Sequence, residues 1–145
     1  IDDFLTSPMD NALQAGDLLI AIRVPKIDGR AGSAYKKWGI VKDSLPVVGV
    51  GVMVHLDENG ICTKARVAYG GLANGSERAP STETCLTGSS LISGDVISEA
   101  AKVASEEAPV QDDPWISAAY RKKLVFQLTQ EVLKSAVDQA QGDKP

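Results

Sequence analysis

The sequence predicts an α+β fold: an antiparallel sheet of three to four strands with helices packed on one face. Three observations carry this. From Leu18 to Tyr69 the chain is rich in aliphatic and β-branched residues, and its longest apolar stretch alternates with period two, the spacing of a half-buried strand. Asp57-Glu58-Asn59-Gly60 separates two such runs and reads as a hairpin turn, because Asn-Gly tolerates positive φ. After Gly70-Gly71 the composition shifts to alanine, glutamate and serine, with apolar residues at helical spacing.

The elements follow in order. Leu18 to Pro25 is predicted as a strand, opened by Gly16-Asp17 and stopped by Pro25. Lys26 to Gly32 is polar and glycine-containing, the expected boundary between two units. Ser33 to Val41 is predicted as a second strand carrying Tyr35 and Trp38, and Lys42-Asp43-Ser44 as a polar break. The run Leu45 to Leu56 then sets Val48, Val50, Val52, Val54 and Leu56 on one face. Its other face holds Gly49 and Gly51, a hollow that invites a backbone, a helix or a flat ligand. The returning strand, Ile61 to Tyr69, is expected to turn Ile61, Ala65, Val67 and Tyr69 inward.

Three helices close the chain. Pro80 to Leu86 is a short one ended by Gly88. A second runs from about Gly94 to Glu107, capped by Ser93, with Val96, Ala100, Val103 and Ala104 on its apolar face. The last is expected to take Asp113 as cap and Pro114 at its first position. Its predicted stripe is Ile116, Tyr120, Leu124, Leu128, Val132 and Ala136.

Composition bounds the function. At 145 residues, 43% hydrophobic and 23% charged, the chain has the make-up of a globular domain that needs no staple. Fifteen basic against 19 acidic residues give a net charge of −4, so the cationic footprint of a nucleic-acid binder is missing. The longest apolar run, Leu45 to Val54, is too short for a membrane-spanning helix. Cys62 and Cys85 lie 23 positions apart with no C-x-x-C or H-x-x-H spacing, so two free thiols in a reducing cytoplasm are expected and no metal site. The chain opens on Ile1, from which a piece of a longer protein is expected.

No self-sufficient catalytic device emerges. His55 is the single histidine and lies mid-strand with no acid at a telling spacing. Gly49-Val50-Gly51 lies inside a strand and lacks the third glycine and helix start of a dinucleotide fingerprint. The acid pairs Asp112-Asp113 and Glu106-Glu107 fall in a loop and at a helix end, where capping or solvation accounts for them. The richest cluster is Tyr35-Lys36-Lys37-Trp38 with Lys42-Asp43-Ser44-Leu45. Aromatics, cations and a polar turn beside a hollowed strand suit a planar anionic cofactor such as a flavin, while an ordinary strand with snorkelling lysines explains the same residues.

Several blocks, in one shared order, resemble a known family. They are Gly16 to Pro25, Ala34-Tyr35-Lys36-Lys37, Asp43 to Val50, Ala68-Tyr69-Gly70-Gly71-Leu72-Ala73, Arg78-Ala79 with Glu83, Leu86 and Gly88, and Tyr120-Arg121 with Leu124. Together they are similar to the C-terminal part of the FAD-binding medium subunit of molybdenum hydroxylases, the carbon monoxide dehydrogenase and xanthine dehydrogenase group. The resemblance implies that Leu19 and Leu45 lie near the isoalloxazine ring, with Lys36 or Lys37 beside it; strand alternation forbids both lysines from pointing the same way. It places Lys42-Asp43-Ser44 at the flavin edge and makes Tyr120-Arg121 a structural tie between the last helix and the sheet. Residues 1–30 would be the tail of the FAD-binding domain and 31–145 the flavoprotein C-terminal domain.

The resemblance further implies partners: a molybdenum-binding large subunit and an iron–sulfur small subunit, with electrons passing from molybdenum–pterin through iron–sulfur clusters to FAD. The family's glycine-rich loops for the FAD diphosphate precede everything in this sequence, so the isolated chain is expected to be inactive and to bind FAD weakly or not at all. Ile40 and Val41 replace the family's paired arginines, Ser44 takes its aspartate's place with Asp43 one position early, and Pro46 replaces its alanine. A different class of reading, on architecture alone, is a stand-alone non-catalytic docking or dimerisation module.

Overall fold

The computed structural model describes residues 3–7, 10–72 and 75–142. Four strands, β1 (Arg30–Trp38), β2 (Val48–Leu56), β3 (Cys62–Leu72) and β4 (Gly75–Arg78), are followed by three helices, α1 (Pro80–Leu86), α2 (Gly94–Glu107) and α3 (Ala118–Gln141). The strands form one antiparallel sheet in the order β1-β2-β3-β4. The helices lie on one face of it, the expected α+β arrangement. Val48, Val50, Val52, Val54 and Leu56 of β2 are all buried there, against Val125, Leu128, Val132, Leu133 and Ala136 of α3 and Ile97, Ala100 and Ala104 of α2. Burying a Val or Leu side chain is worth about 1.5–3 kcal/mol, so this single layer of contacts dominates the fold.

The Asp57–Gly60 turn forms as its residues demand. The Asp57 carboxylate accepts from the Asn59 and Ile61 amides at 2.9 and 2.8 Å, and Gly60 takes a positive φ of 78°. The register then slips between His55 and Leu56, which pair with Lys64 and Cys62. Thr63 is the extra residue. A bulge of this kind reverses the in–out phase on its far side, which corrects one expectation: Cys62 is fully buried, and Ile61 is not in the core.

Other expectations are corrected by packing. The strand predicted over 18–25 has no pairing partner among the described residues, and Leu18, Ile20, Ile22 and Val24 are each about 80% exposed. A strand's ladder groups need a second strand, and none of the sheet's four reaches this segment. β1 starts at Arg30 rather than Ser33 and ends at Trp38 rather than Val41, because the chain turns back over 40–44. β4 carries no apolar alternation and was not expected. On α2 the buried residues are Ile97, Ala100, Ala101 and Ala104, with Val96 only partly covered.

The last helix begins at Ala118 with Ser117 as its cap, not with Asp113 and Pro114. The Asp113 carboxylate instead accepts from the Trp115 and Ile116 amides, both at 2.8 Å, in a separate turn. Its buried residues are Val125, Leu128, Thr129, Val132, Leu133, Ala136, Val137 and Ala140. A row spaced strictly by four drifts about 40° per step around a helix; of the predicted stripe, Leu128, Val132 and Ala136 are buried on α3, Leu124 packs partly against the core, and Ile116 is buried but precedes the helix. Tyr120 stays 43% exposed.

Candidate functional site

The hairpin loop over 39–47 joins β1 to β2 and carries Asp43, Ser44 and Leu45. Five hydrogen bonds among the described residues hold it. The Val47 amide donates to the Trp38 carbonyl at 2.8 Å, closing the loop at its base. Lys37 Nζ donates to the Ser44 carbonyl at 3.0 Å. Both the Ser44 amide and its hydroxyl donate to the Val41 carbonyl, at 3.1 and 2.9 Å. Arg121 Nη1 donates to the Val47 carbonyl at 2.8 Å. The loop is thus pinned along its length, yet Leu45, two residues past the turn at 42–43, is 89% exposed, an apolar side chain held in water by a fixed backbone.

Lys36 and Lys37 point to opposite faces, as alternation requires. Lys36 lies on the helix side, where its Nζ meets Glu131 of α3 at 2.5 Å. Hydrogen bonding by the Lys36 ammonium, together with its charge, holds the Glu131 carboxyl below its ordinary pKa against the opposing effect of desolvation. Lys37 lies on the open face of the sheet and is tied to the loop. The structure therefore brings Lys37, Ser44 and Leu45 together and leaves Lys36 on the other side. Asp43 shares their loop, and Leu19 is half exposed within the unpaired segment before β1.

The glycine hollow on β2 is filled from within. Tyr35 of β1 pairs with Gly51, and its ring lies across the hollow, so that a Cβ on Gly49 would stand 2.7 Å from the phenolic oxygen. The same open face presents a shallow cavity of about 460 Å³ lined by Ser33, Tyr35, Met53, Arg66, Ala68 and Arg78. Leu45 and Pro46 line a different and larger one, about 830 Å³, with Phe4, Leu5, Gly71 and Leu72. Gly71 is in the left-handed region at φ 74° and seats the loop: a Cβ there would collide with the Pro46 carbonyl.

Sequence reasoning missed how the loop's base is secured. Arg121 is 11% exposed, and besides Val47 it bonds the Asp113 carboxylate. The amides of Trp115 and Ile116, then the Arg121 guanidinium, hold the Asp113 carboxyl below its usual range. The Tyr-Arg pair at 120–121 was the available signal, and the tie to the sheet is real, but nothing local points from Arg121 to a carbonyl 74 residues earlier. Tyr120 meets Trp38 edge-on at 5.8 Å, a second link between α3 and the loop's base.

His55 is partly exposed, and its carbonyl accepts from the Thr63 hydroxyl. Cys62 is a free, buried thiol and Cys85 a free, half-buried one, and burial pushes both pKa values up. Among the described residues no His, Cys, Asp and Glu side chains gather in a set that could hold a metal ion. No helix among them is long and apolar enough to cross a membrane.

Comparison with known proteins follows the same outline. The 6-hydroxypseudooxynicotine dehydrogenase complex subunit alpha of Paenarthrobacter nicotinovorans is 25% identical over 146 residues, covering 99% of this chain and 48% of that protein. The glyceraldehyde dehydrogenase medium chain of Sulfolobus acidocaldarius is 30% identical over 132 residues, covering 91% of this chain and 46% of that one. The chain thus spans about half the length of the curated relatives it matches. In fold it is similar to a carbon monoxide dehydrogenase chain from Hydrogenophaga pseudoflava, with TM-score 0.83 and 22% identity over 95% of this chain and 47% of that chain. A chain of quinoline 2-oxidoreductase from Pseudomonas putida 86 superposes with TM-score 0.80 and 24% identity, covering 97% of this chain and 47% of that chain. Residues 33–136 match the CO dehydrogenase flavoprotein C-terminal domain, and the chain belongs to that family.

Proposed function

We propose that this chain forms the C-terminal domain of the FAD-carrying medium subunit of a molybdenum hydroxylase, with residues 1–30 as the tail of the preceding FAD-binding domain. The observation that carries the reading is the pinned loop over 39–47, which holds Leu45 89% exposed beside the Lys37 ammonium. An aliphatic side chain and a cation on a rigid support suit the edge of a planar ring that takes on negative charge. Leu19, half exposed on its unpaired segment, offers a second aliphatic contact. In this reading Leu19 and Leu45 pack on the ring, Lys37 balances its charge, and Asp43 and Ser44 face the solvent edge. Lys36, committed to Glu131, is the less suited of the two lysines.

The fit is to the ring and not to the diphosphate. Among the described residues no glycine-rich loop opens on the start of a helix, the usual cradle for phosphates, so that half of the cofactor falls to other parts of the subunit. When bound, FAD supplies the redox chemistry, between iron–sulfur clusters of a small partner subunit and the final electron acceptor. The substrate is oxidised on a molybdenum-binding large partner. This chain's residues orient the ring and shield one side of it. Two free thiols fit a reducing cytoplasm.

The test is flavin retention in the native complex. Leu45→Asp sets a carboxylate where the ring is placed, and Lys37→Met removes the cation. Each is expected to weaken FAD retention by about tenfold, the equivalent of roughly 1.4 kcal/mol, read from the visible absorbance per subunit after gel filtration. Unchanged flavin content and spectrum in both variants would overturn the reading.

A further inference from the structure

The carbonyl of Val47 sits at the point where the 39–47 loop enters β2. Its amide is already used by the Trp38 carbonyl at 2.8 Å. The carbonyl is answered by Arg121 Nη1, also at 2.8 Å, from the first turn of α3. The second arm of the guanidinium bonds the Asp113 carboxylate, whose other oxygen is held by two amides of its own turn at 2.8 Å. Arg121 Nε is buried with no hydrogen-bond partner. The pose of the guanidinium is therefore set by its two outer nitrogens, one on the loop and one on a fixed carboxylate. A planar fork can serve a carbonyl and a carboxylate together, which a lysine's point charge cannot do with the same geometry.

We propose that Arg121 is a positioning residue for the flavin site: it fixes the base of the 39–47 loop, and through it the placement of Ser44 and Leu45, three and two residues before Val47. The proposal rests on the reading that this loop faces FAD. Asp113 is part of the same device, since it holds the guanidinium in the orientation that reaches Val47. The loop's other contacts include those within the hairpin, the seat of Pro46 on Gly71 and, at its base, the Trp38–Tyr120 ring contact; among the described residues Arg121 gives the hydrogen bond that ties it to the helical layer.

The experiment compares Arg121→Gln, Arg121→Lys and Asp113→Asn with Leu45→Asp, all in the native flavin-containing complex. Two signals are read: hydrogen exchange of the peptide spanning 39–47 against the core of α3, and the visible circular dichroism of bound flavin. Exchange reports local opening without activity. In Arg121→Gln the loop is expected to exchange about tenfold faster while the α3 core is unchanged, and the flavin dichroism to shift. Arg121→Lys should recover part of both signals, and Asp113→Asn should move both in the same direction by less. Asp113→Asn carries the comparison alone if Arg121→Gln does not fold.

Loop exchange that stays put, or rises equally in the α3 core, overturns the proposal. A loop that opens with no change in flavin dichroism, while Leu45→Asp does change it, overturns the positioning role and leaves the flavin reading standing. A loop that opens when neither variant moves the flavin signal overturns that reading, and the role of Arg121 with it.

Discussion

Gly32 of β1 and Ala136 of α3 meet backbone to backbone: a Cβ on Gly32 would collide with the Ala136 carbonyl oxygen and stand 2.8 Å from the Ala140 nitrogen. No flexible side chain lies in the way to yield. The sheet and its covering helix approach this closely only because position 32 has no side chain. Gly32→Ala is therefore expected to cost about 1–3 kcal/mol by forcing β1 and α3 apart, seen as a fall of several degrees in Tm. Gly49→Ala is the matched control. There the new methyl meets the end of the Tyr35 side chain, which is 62% exposed and free to swing, so a change within about 0.5 kcal/mol is expected. Equal losses in the two variants would show that the contact at Gly32 is not the tight one.

Glu83 joins α1 to two strands. Its carboxylate accepts from the Val67 amide at 2.9 Å and from Arg78 Nε and Nη2 at 2.6 and 2.5 Å, with Arg66 at 3.5 Å. Burial pushes its pKa up, but the Arg78 bonds, the Val67 amide and the two guanidinium charges outweigh this and leave it lowered. A folded-state pKa below the unfolded one adds stability that is present above the unfolded value, about 4.3, and is lost as pH falls through the folded value. Arg78 is half exposed, so its share is screened. Glu83→Gln is expected to be less stable at pH 7 by about 1–2 kcal/mol, with the gap closing as urea melts are taken below about pH 4. A gap that stays constant with pH would show that the carboxylate's charge contributes nothing.

The central hairpin was legible because its information is local. The β2 alternation, the Asp57–Gly60 turn and the Ser93 cap each act within a few residues. What escaped the sequence acts at a distance. β4 reads Gly-Ser-Glu-Arg, with no apolar pattern, and is held by its ladder to β3 and by Arg78 on Glu83. The bulge at Thr63 is a matter of pairing and leaves no mark in the residue types. In the site, alternation already separated Lys36 from Lys37, but which one meets the loop depends on the Ser44 carbonyl, set by a fold-back no periodicity records. The segment over 18–25 carries a strand's composition without a strand's partner, so reading it from local propensity alone gave the wrong result for this chain.

Glu107, at the last turn of α2, caps a helix that has no cap of its own. The Ala79 position offers no side-chain acceptor at the start of α1, and the Glu107 carboxylate accepts instead from the Ser81 and Thr82 amides at 3.0 and 2.9 Å, and from the Thr82 hydroxyl. Helix-starting amides left without an acceptor cost about 1–2 kcal/mol. Glu107→Ala is expected to lose that amount, with faster hydrogen exchange confined to α1 and its junction with α2. Exchange that rises across β2 and α3 instead would assign Glu107 to global stability and not to capping.

Tyr69 gives the alkaline counterpart to Glu83. Its buried hydroxyl donates to the Ala104 carbonyl at 2.9 Å. Burial raises its pKa most; the Thr82 hydroxyl lowers it somewhat, and the Glu107 charge raises it again, leaving it well above the ordinary tyrosine value. A raised folded-state pKa adds stability that is whole below the unfolded value of about 10 and is lost as pH rises through the folded one. Tyr69→Phe is expected to be less stable by about 1 kcal/mol at neutral pH, and this gap should shrink above about pH 10. A gap that stays the same from neutral pH to about one unit above that value would mean that Tyr69 is not held protonated by the fold.

Gly71 offers the sharpest link between fold and site. Its φ of 74° is left-handed, and a Cβ would overlap the Pro46 carbonyl group, with the carbonyl carbon 2.9 Å away. Alanine there meets both penalties: roughly 1–2 kcal/mol for the backbone conformation and the displacement of Pro46. Leu45 is the next residue back, so the displacement reaches the side chain proposed to pack on the flavin ring. Gly70, its neighbour, has no atom within 4 Å of where a methyl would stand, and no positive φ. Gly71→Ala is therefore expected to lower both Tm and flavin retention in the native complex, and Gly70→Ala to leave both near the parent. Should Gly71→Ala lower Tm while flavin retention holds, the seat under Pro46 would be a stability feature only, and the placement of Leu45 would not depend on it.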